Sequence, residues 1–180
     1  RPDGAKRLSQ IKKLTFLAMS GRLSFGQALA RRVKLLDADR RHVRLLNRRL
    51  RKSVSPSFRR NKRYLQRNAA RIYIITGGFE EYVLPVVRGL GLRAKNVFAN
   101  RFLFNRQGKI IGFDKRRLVS KSQGKLRQLQ RLNLRGDCIV IGDGYSDYEL
   151  KRCPAVKMFV AFTETIARKE VVKAADKAAG

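Results

Sequence analysis

The sequence predicts an α/β fold built on a doubly wound parallel sheet, and three observations carry that reading. Short apolar, β-branched runs at 72–75, 138–141 and 158–162 have the length and composition of buried strands. The first two close on glycine turns, Thr76-Gly77-Gly78 and Gly142-Asp143-Gly144. Helical periodicity follows each strand, and this alternation lays strands in one direction, with ligands at their carboxyl ends.

The elements follow in order. Leu8, Ile11, Leu14, Leu17 and Ala18 recur at helical spacing over 5–20, and Gly21 supplies a stop. Ser24 offers an N-cap to a second helix with Phe25, Ala28, Leu29, Val33 and Leu36 on one face, broken near 37–39. Val43, Leu46 and Leu50 continue a helical stripe among arginines. A turn at 53–57 precedes a helix from about 58 to 68. After the strand at 72–75 come a helix at 79–90 and strands at 96–99, 102–104 and 110–113. A helix at 122–133 leads to the strand at 138–141, a helix to 152, the strand at 158–162 and a last helix at 165–178. A chain of 180 residues accommodates one core and an appendage. The helical region 1–56 is accordingly expected to form a cap, and 57–180 the α/β core.

Charge is the outstanding compositional feature: 43 Lys and Arg against 13 Asp and Glu give +30. From Arg40 to Phe79 there are thirteen basic residues and no acid, and from Lys115 to Gly136 eight more, again with no acid. Such a density repels itself unless an anion screens it. A polyanion whose phosphates release counterions on binding is the physical use for it. Arg40, Arg41, Arg44, Arg48, Arg49, Arg51, Lys52, Arg59, Arg60, Lys62, Arg63 and Arg67 are the expected RNA-binding residues. A membrane partner is not expected, since the cations are not gathered beside one apolar face, and no run reaches the roughly 18 apolar residues a span requires. Cys138, Cys153 and His42 have no ligand-spaced neighbours, which argues against zinc and for a reducing, intracellular compartment.

Three motifs can carry chemistry. Asp143 and Asp147 lie four residues apart where a strand turns into a helix, two hard oxygen donors suited to Mg²⁺, although an Asp-Gly turn is also ordinary turn chemistry. Thr76 and Gly77 offer a hydroxyl and backbone N–H groups to an anion, or else form a plain capped turn. Lys125 follows Gly124 at a helix start.

In this order the motifs resemble the haloacid dehalogenase (HAD) phosphatases, specifically the phosphoserine phosphatase branch. The resemblance implies that Thr76 and Gly77 hold a phosphate, that Lys125 neutralises it, and that Asp143 with Asp147 helps hold Mg²⁺. Ser24-Phe25, Ala28-Leu29 and 32–36 are similar to the family's cap segment, which implies that Arg32 meets a substrate carboxylate while Met19 and Phe25 line the cap pocket. Ser146 stands where that family usually has Asn. The family's nucleophile, in an Asp-x-Asp motif ending a central first strand ahead of the cap, is lacking in this sequence. Asp37-Ala38-Asp39 follows the cap signature and sits in a helical context, so it is not expected to replace that motif. A further segment, or a neighbouring chain, is therefore expected between the strands at 72–75 and 138–141, because a gap there would leave backbone groups unpaired.

Two functions compete. One is an inactive HAD-like domain recruited as a basic RNA-binding subunit of a ribonucleoprotein, a ribosome above all, beside rRNA and neighbouring proteins, in the mitochondrial matrix or another organelle, or otherwise in the cytoplasm. The other is a Mg²⁺-dependent phosphoserine or phosphomonoester phosphatase whose nucleophile lies upstream. Deliberate supercharging of an ordinary phosphatase would give the same surface.

Overall fold

The computed structural model describes residues 4–19 and 22–180, the side chain of Met19 excepted, so Gly21 and the predicted role of Met19 lie outside the described residues. Three helices come first: α1 (Gly4–Met19), α2 (Phe25–Leu35) and α3 (Arg40–Lys52). Ser24 caps α2 as its sequence suggests. Its hydroxyl accepts from the Gln27 N–H while the Gln27 side chain accepts from the Ser24 N–H, a reciprocal pair that stabilises a helix start by about 1 kcal/mol. Asp39 caps α3 through the N–H groups of Arg41 and His42.

The predicted helix at 58–68 is two short ones, α4 (Pro56–Arg60) and α5 (Lys62–Arg67). Asn61 separates them: its side chain donates to the Ser57 carbonyl at 2.9 Å, a local bond that competes with helix continuation. The first strand is β1 (Ile74–Phe79), two residues later than expected and running through the glycines. Ile72 stays outside the ladder because the Asn96 amide collects the carbonyls of Ala69, Ala70 and Ile72.

Next come α6 (Glu80–Gly89), β2 (Val97–Asn100), a hairpin of β3 (Phe102–Phe104) and β4 (Ile110–Phe113), and α7 (Gly124–Leu132). The last part holds β5 (Cys138–Gly142), α8 (Tyr145–Tyr148), a 3₁₀ turn at 149–152, β6 (Val156–Phe162), α9 (Lys169–Ala174) and β7 (Lys177–Ala179). The predicted helix at 165–178 thus ends early. Asp176 accepts the Phe159 N–H at 2.8 Å and pairs with Lys151, which turns the chain toward β6, where it adds a parallel strand.

The fold is α/β, and its strand pairing is parallel apart from the hairpin: β1 pairs with β2, and β5 with β6 and β6 with β7. Among the described residues β1 and β5 belong to separate sheets and share no ladder. Ile139 and Ile141 of β5 are 62% and 60% exposed, although their run is apolar throughout. One core cluster unites Leu29 and Val33 of α2 with Phe79 and the hairpin residues Phe102, Ile110 and Phe113. Phe79 and Phe102 stack with centroids 3.7 Å apart. Through this cluster the first helices sit over the carboxyl end of β1.

Candidate active site

The site begins as an irregularity in β1. Ile75 stands opposite Phe98 and Phe79 opposite Asn100, so Thr76, Gly77 and Gly78 together face the single Ala99 and bulge out of the ladder. Two side chains hold the bulge. The Thr76 hydroxyl accepts the Gly78 N–H at 3.0 Å, and the fully buried Asn100 donates its Nδ2 to the Gly77 carbonyl at 2.8 Å. Glycine at 77 lets the Phe25 ring pack closely, since a Cβ there would lie 3.2 Å from it and the ring would have to shift.

Lys125 enters from the first turn of α7, which packs on β1. Its Nζ lies 2.7 Å from Asp147 Oδ1. The other Asp147 oxygen accepts the Gly144 N–H at 3.2 Å, fixing the carboxylate against the turn. Two glycines let these groups approach: a Cβ on Gly124 would fall 2.1 Å from the Leu118 carbonyl oxygen, and one on Gly142 2.4 Å from Asp147 Cβ. Asp143 points elsewhere, to an ion pair with Arg168, whose guanidinium also donates to the Asp143 carbonyl at 2.6 Å. Among the described residues no three His, Cys, Asp or Glu side chains converge as a ready metal cluster.

A cavity of about 440 Å³ lies between the first helices and the end of β1, with Arg32, Val33, Gly77, Phe79 and Tyr82 among its lining. The Arg32 guanidinium stands 5.9 Å from the Phe25 ring centroid, and burial holds its pKa below the usual arginine value. A half-buried arginine of this kind is an anchor for an anionic ligand group.

The structure therefore brings Thr76, Gly77, Phe25 and Arg32 to one end of β1, and Lys125 to Asp147. Asp37 and Asp39 take no part: hydrogen bonds from Arg7 and Lys109 hold the Asp37 carboxyl well below the usual range, and Asp39 is the cap of α3. Sequence reasoning missed Asn100, Tyr82 and Arg168. Asn100 directly follows the predicted 96–99 strand, a placement that could have flagged it; Arg168 has no local signal. The twelve basic residues predicted between 40 and 67 are all exposed, on α3 to α5, and none of them lines this cavity. No described helix is long and apolar enough to cross a membrane.

Residues 2–152 match the model of the haloacid dehalogenase-like hydrolases. The chloroplastic phosphoserine phosphatase of Arabidopsis thaliana is 30% identical over 169 residues, covering 92% of this chain and 57% of that protein. The human phosphoserine phosphatase is 32% identical over 181 residues, covering 95% and 80%. The chain thus spans little more than half of the Arabidopsis relative, and 63% of the one from Drosophila melanogaster. Among solved structures, a phosphoserine phosphohydrolase-like protein from Francisella tularensis superposes with a TM-score of 0.76 at 24% identity, covering 99% of this chain and 83% of that one.

Proposed function

The chain belongs to the haloacid dehalogenase-like hydrolases, and from that premise we propose that it forms the phosphate- and substrate-holding part of a phosphomonoesterase for phosphoserine-like substrates. The observation that carries this is the shared cavity: Arg32 and Gly77 line the same space, so one end can hold a carboxylate and the other a phosphate. The named relatives are phosphatases, which favours this reading over an inactive ribonucleoprotein scaffold.

In this reading residues 1–56 act as the cap and 57–180 as the core. Thr76 and the bulge amides bind phosphate oxygens, and Lys125 neutralises them. Asp143 and Asp147 would be the donors to Mg²⁺, an ion that needs few carboxylates beside its waters, and holding it would require them to give up their present ion pairs with Arg168 and Lys125. When bound there, the ion offsets phosphate charge. The nucleophile is an aspartate on a strand seated between β1 and β5, where the ladder is open and Ile139 and Ile141 lie exposed. That carboxylate would attack phosphorus while the second aspartate of the Asp-x-Asp motif gives its proton to the departing serine oxygen, and the same aspartate would then take a proton from the water that hydrolyses the aspartyl-phosphate.

Phosphate release from O-phospho-L-serine, measured on the chain carrying a strand that ends in Asp-x-Asp ahead of α1, tests the proposal. Hydrolysis is expected, with Lys125→Ala lowering kcat by about 100-fold or more and Arg32→Ala acting mainly on KM. A folded protein with that strand in place and no hydrolysis would overturn it.

A further inference from the structure

Helix α3 has two faces of different character. Val43 and Leu46 border the cavity, and Asn47 Nδ2 donates to the Glu81 carbonyl at 3.0 Å, so this side is docked on α6 and the core. Arg40, Arg44, Arg48 and Arg51 follow at offsets of 0, 4, 8 and 11 and therefore share another face, where all four are exposed. At 1.5 Å per residue the row is about 16 Å long. The Arg40 guanidinium itself lies over the Phe104 ring, 4.1 Å from its centroid. α4 and α5 extend the surface with Arg59, Arg60, Lys62, Arg63 and Arg67, all exposed.

The fold provides almost no counter-charge here. Of the twelve basic residues on this surface, Arg41 is the one that makes an ion pair among the described residues, with Asp39. Glu164, near Arg60, is held by the N–H and hydroxyl of Ser57. Like charges at a spacing of four on a helix repel, so the arginine row is favourable when an anion lies along it. Tyr64 adds a second, independent feature. It is 65% exposed between Lys62, Arg63 and Arg67 and stacks on no other ring among the described residues. A flat aromatic face amid cations is how single-stranded nucleic acid is held without sequence reading. A bilayer would need a continuous apolar face, whereas the large apolar groups exposed over 40–67 are Leu45, Leu46 and Tyr64, each set among arginines or lysines.

We propose that the α3–α5 surface binds single-stranded RNA, with phosphates along the arginine row and a base stacked on Tyr64. None of the basic residues of this surface lines the cavity, so a small-molecule substrate and RNA would contact different side chains.

The test is fluorescence anisotropy of a labelled oligouridylate of roughly 20 nucleotides between about 50 and 300 mM salt. Six phosphate contacts on a single strand give a slope of log K against log salt of about −4. Arg44→Gln/Arg48→Gln/Arg51→Gln is expected to reduce that slope by about 2. The control Arg127→Gln/Arg131→Gln/Arg135→Gln removes equal charge from exposed positions at and beyond α7 and leaves it unchanged. Tyr64→Ala weakens binding by about fivefold or more at the same slope. A flat salt dependence, equal losses from the two triple variants, or displacement of the RNA by phosphatidylserine vesicles at equal charge would each overturn the proposal. Circular dichroism confirms that the variants, all changed at exposed side chains, stay folded. Phosphoserine hydrolysis is not part of the readout, so this proposal and the catalytic one fail separately.

Discussion

Lys125 Nζ stands 2.7 Å from Asp147 Oδ1, and both side chains are mostly buried, so one contact joins the start of α7 to the start of α8. Asp147 is also anchored by the Gly144 N–H. Removing the lysine leaves a largely desolvated carboxylate without its cation. Lys125→Met is expected to cost about 2 kcal/mol in urea unfolding, and Lys125→Met/Asp147→Asn less than the sum of the single changes. Strictly additive costs would show that the pair is not coupled.

Gly124 has no room for a methyl group, because the clash is with the Leu118 carbonyl, which cannot swing aside as a side chain can. Gly124→Ala is expected to destabilise by about 3 kcal/mol and to displace Lys125. Gly89→Ala is the control: nothing lies within 4 Å of its Cβ position. Thermal unfolding of the two variants should separate them clearly.

Asn100 is fully buried, donates to the Gly77 carbonyl, and leaves its Oδ1 without a partner among the described residues. Asn100→Asp removes the donor and introduces a buried charge, so a loss of about 3 kcal/mol or more is expected near neutral pH. Asn100→Ala should cost less. The reverse order, measured by chemical denaturation, would remove Asn100 from its role in holding the bulge.

Glu81 gives a pH signature. Its Oε1 accepts the Phe102 N–H at 3.0 Å, its Oε2 is buried without a partner among the described residues, and burial holds its carboxyl above the usual range. The fold thus prefers the protonated form. That contribution is present below the unfolded carboxylate pKa and is lost as pH rises through the raised folded value. Glu81→Gln should therefore stabilise the protein by roughly 1 kcal/mol at pH 7, with the advantage closing as the pH is lowered through the carboxylate range. An advantage that persists unchanged at low pH would contradict this.

Local sequence determined a good deal. The hairpin strands Phe102–Phe104 and Ile110–Phe113 stand at the positions expected for them. The Ser24 cap and the break at 37–39 follow from side chains that bond backbone within three residues. Errors arose where a distant group took over the backbone: Asn96 drew Ile72 out of the strand, and Asp176 turned a helical pattern into β7.

The candidate site divides along the same line. Thr76, Lys125 and Asp143 were legible because each sits at a strand or helix end beside a glycine, and Asp147 because it follows Asp143 by four residues. Their partnerships were not. That Asp147 meets Lys125 while Asp143 meets Arg168, and that Asn100 props Gly77, depends on how separate elements pack.

What the sequence by itself determined is the α/β class, the glycine turns and the uneven charge, because these rest on periodicity, backbone sterics and counting. What the tertiary structure alone decided is that the bulge of β1 and Arg32 share one cavity, that β1 and β5 stand unpaired to each other, and that none of the α3 arginines lines that cavity. Those are relations between residues far apart in the chain, set by which apolar faces find one another, and no local pattern encodes them.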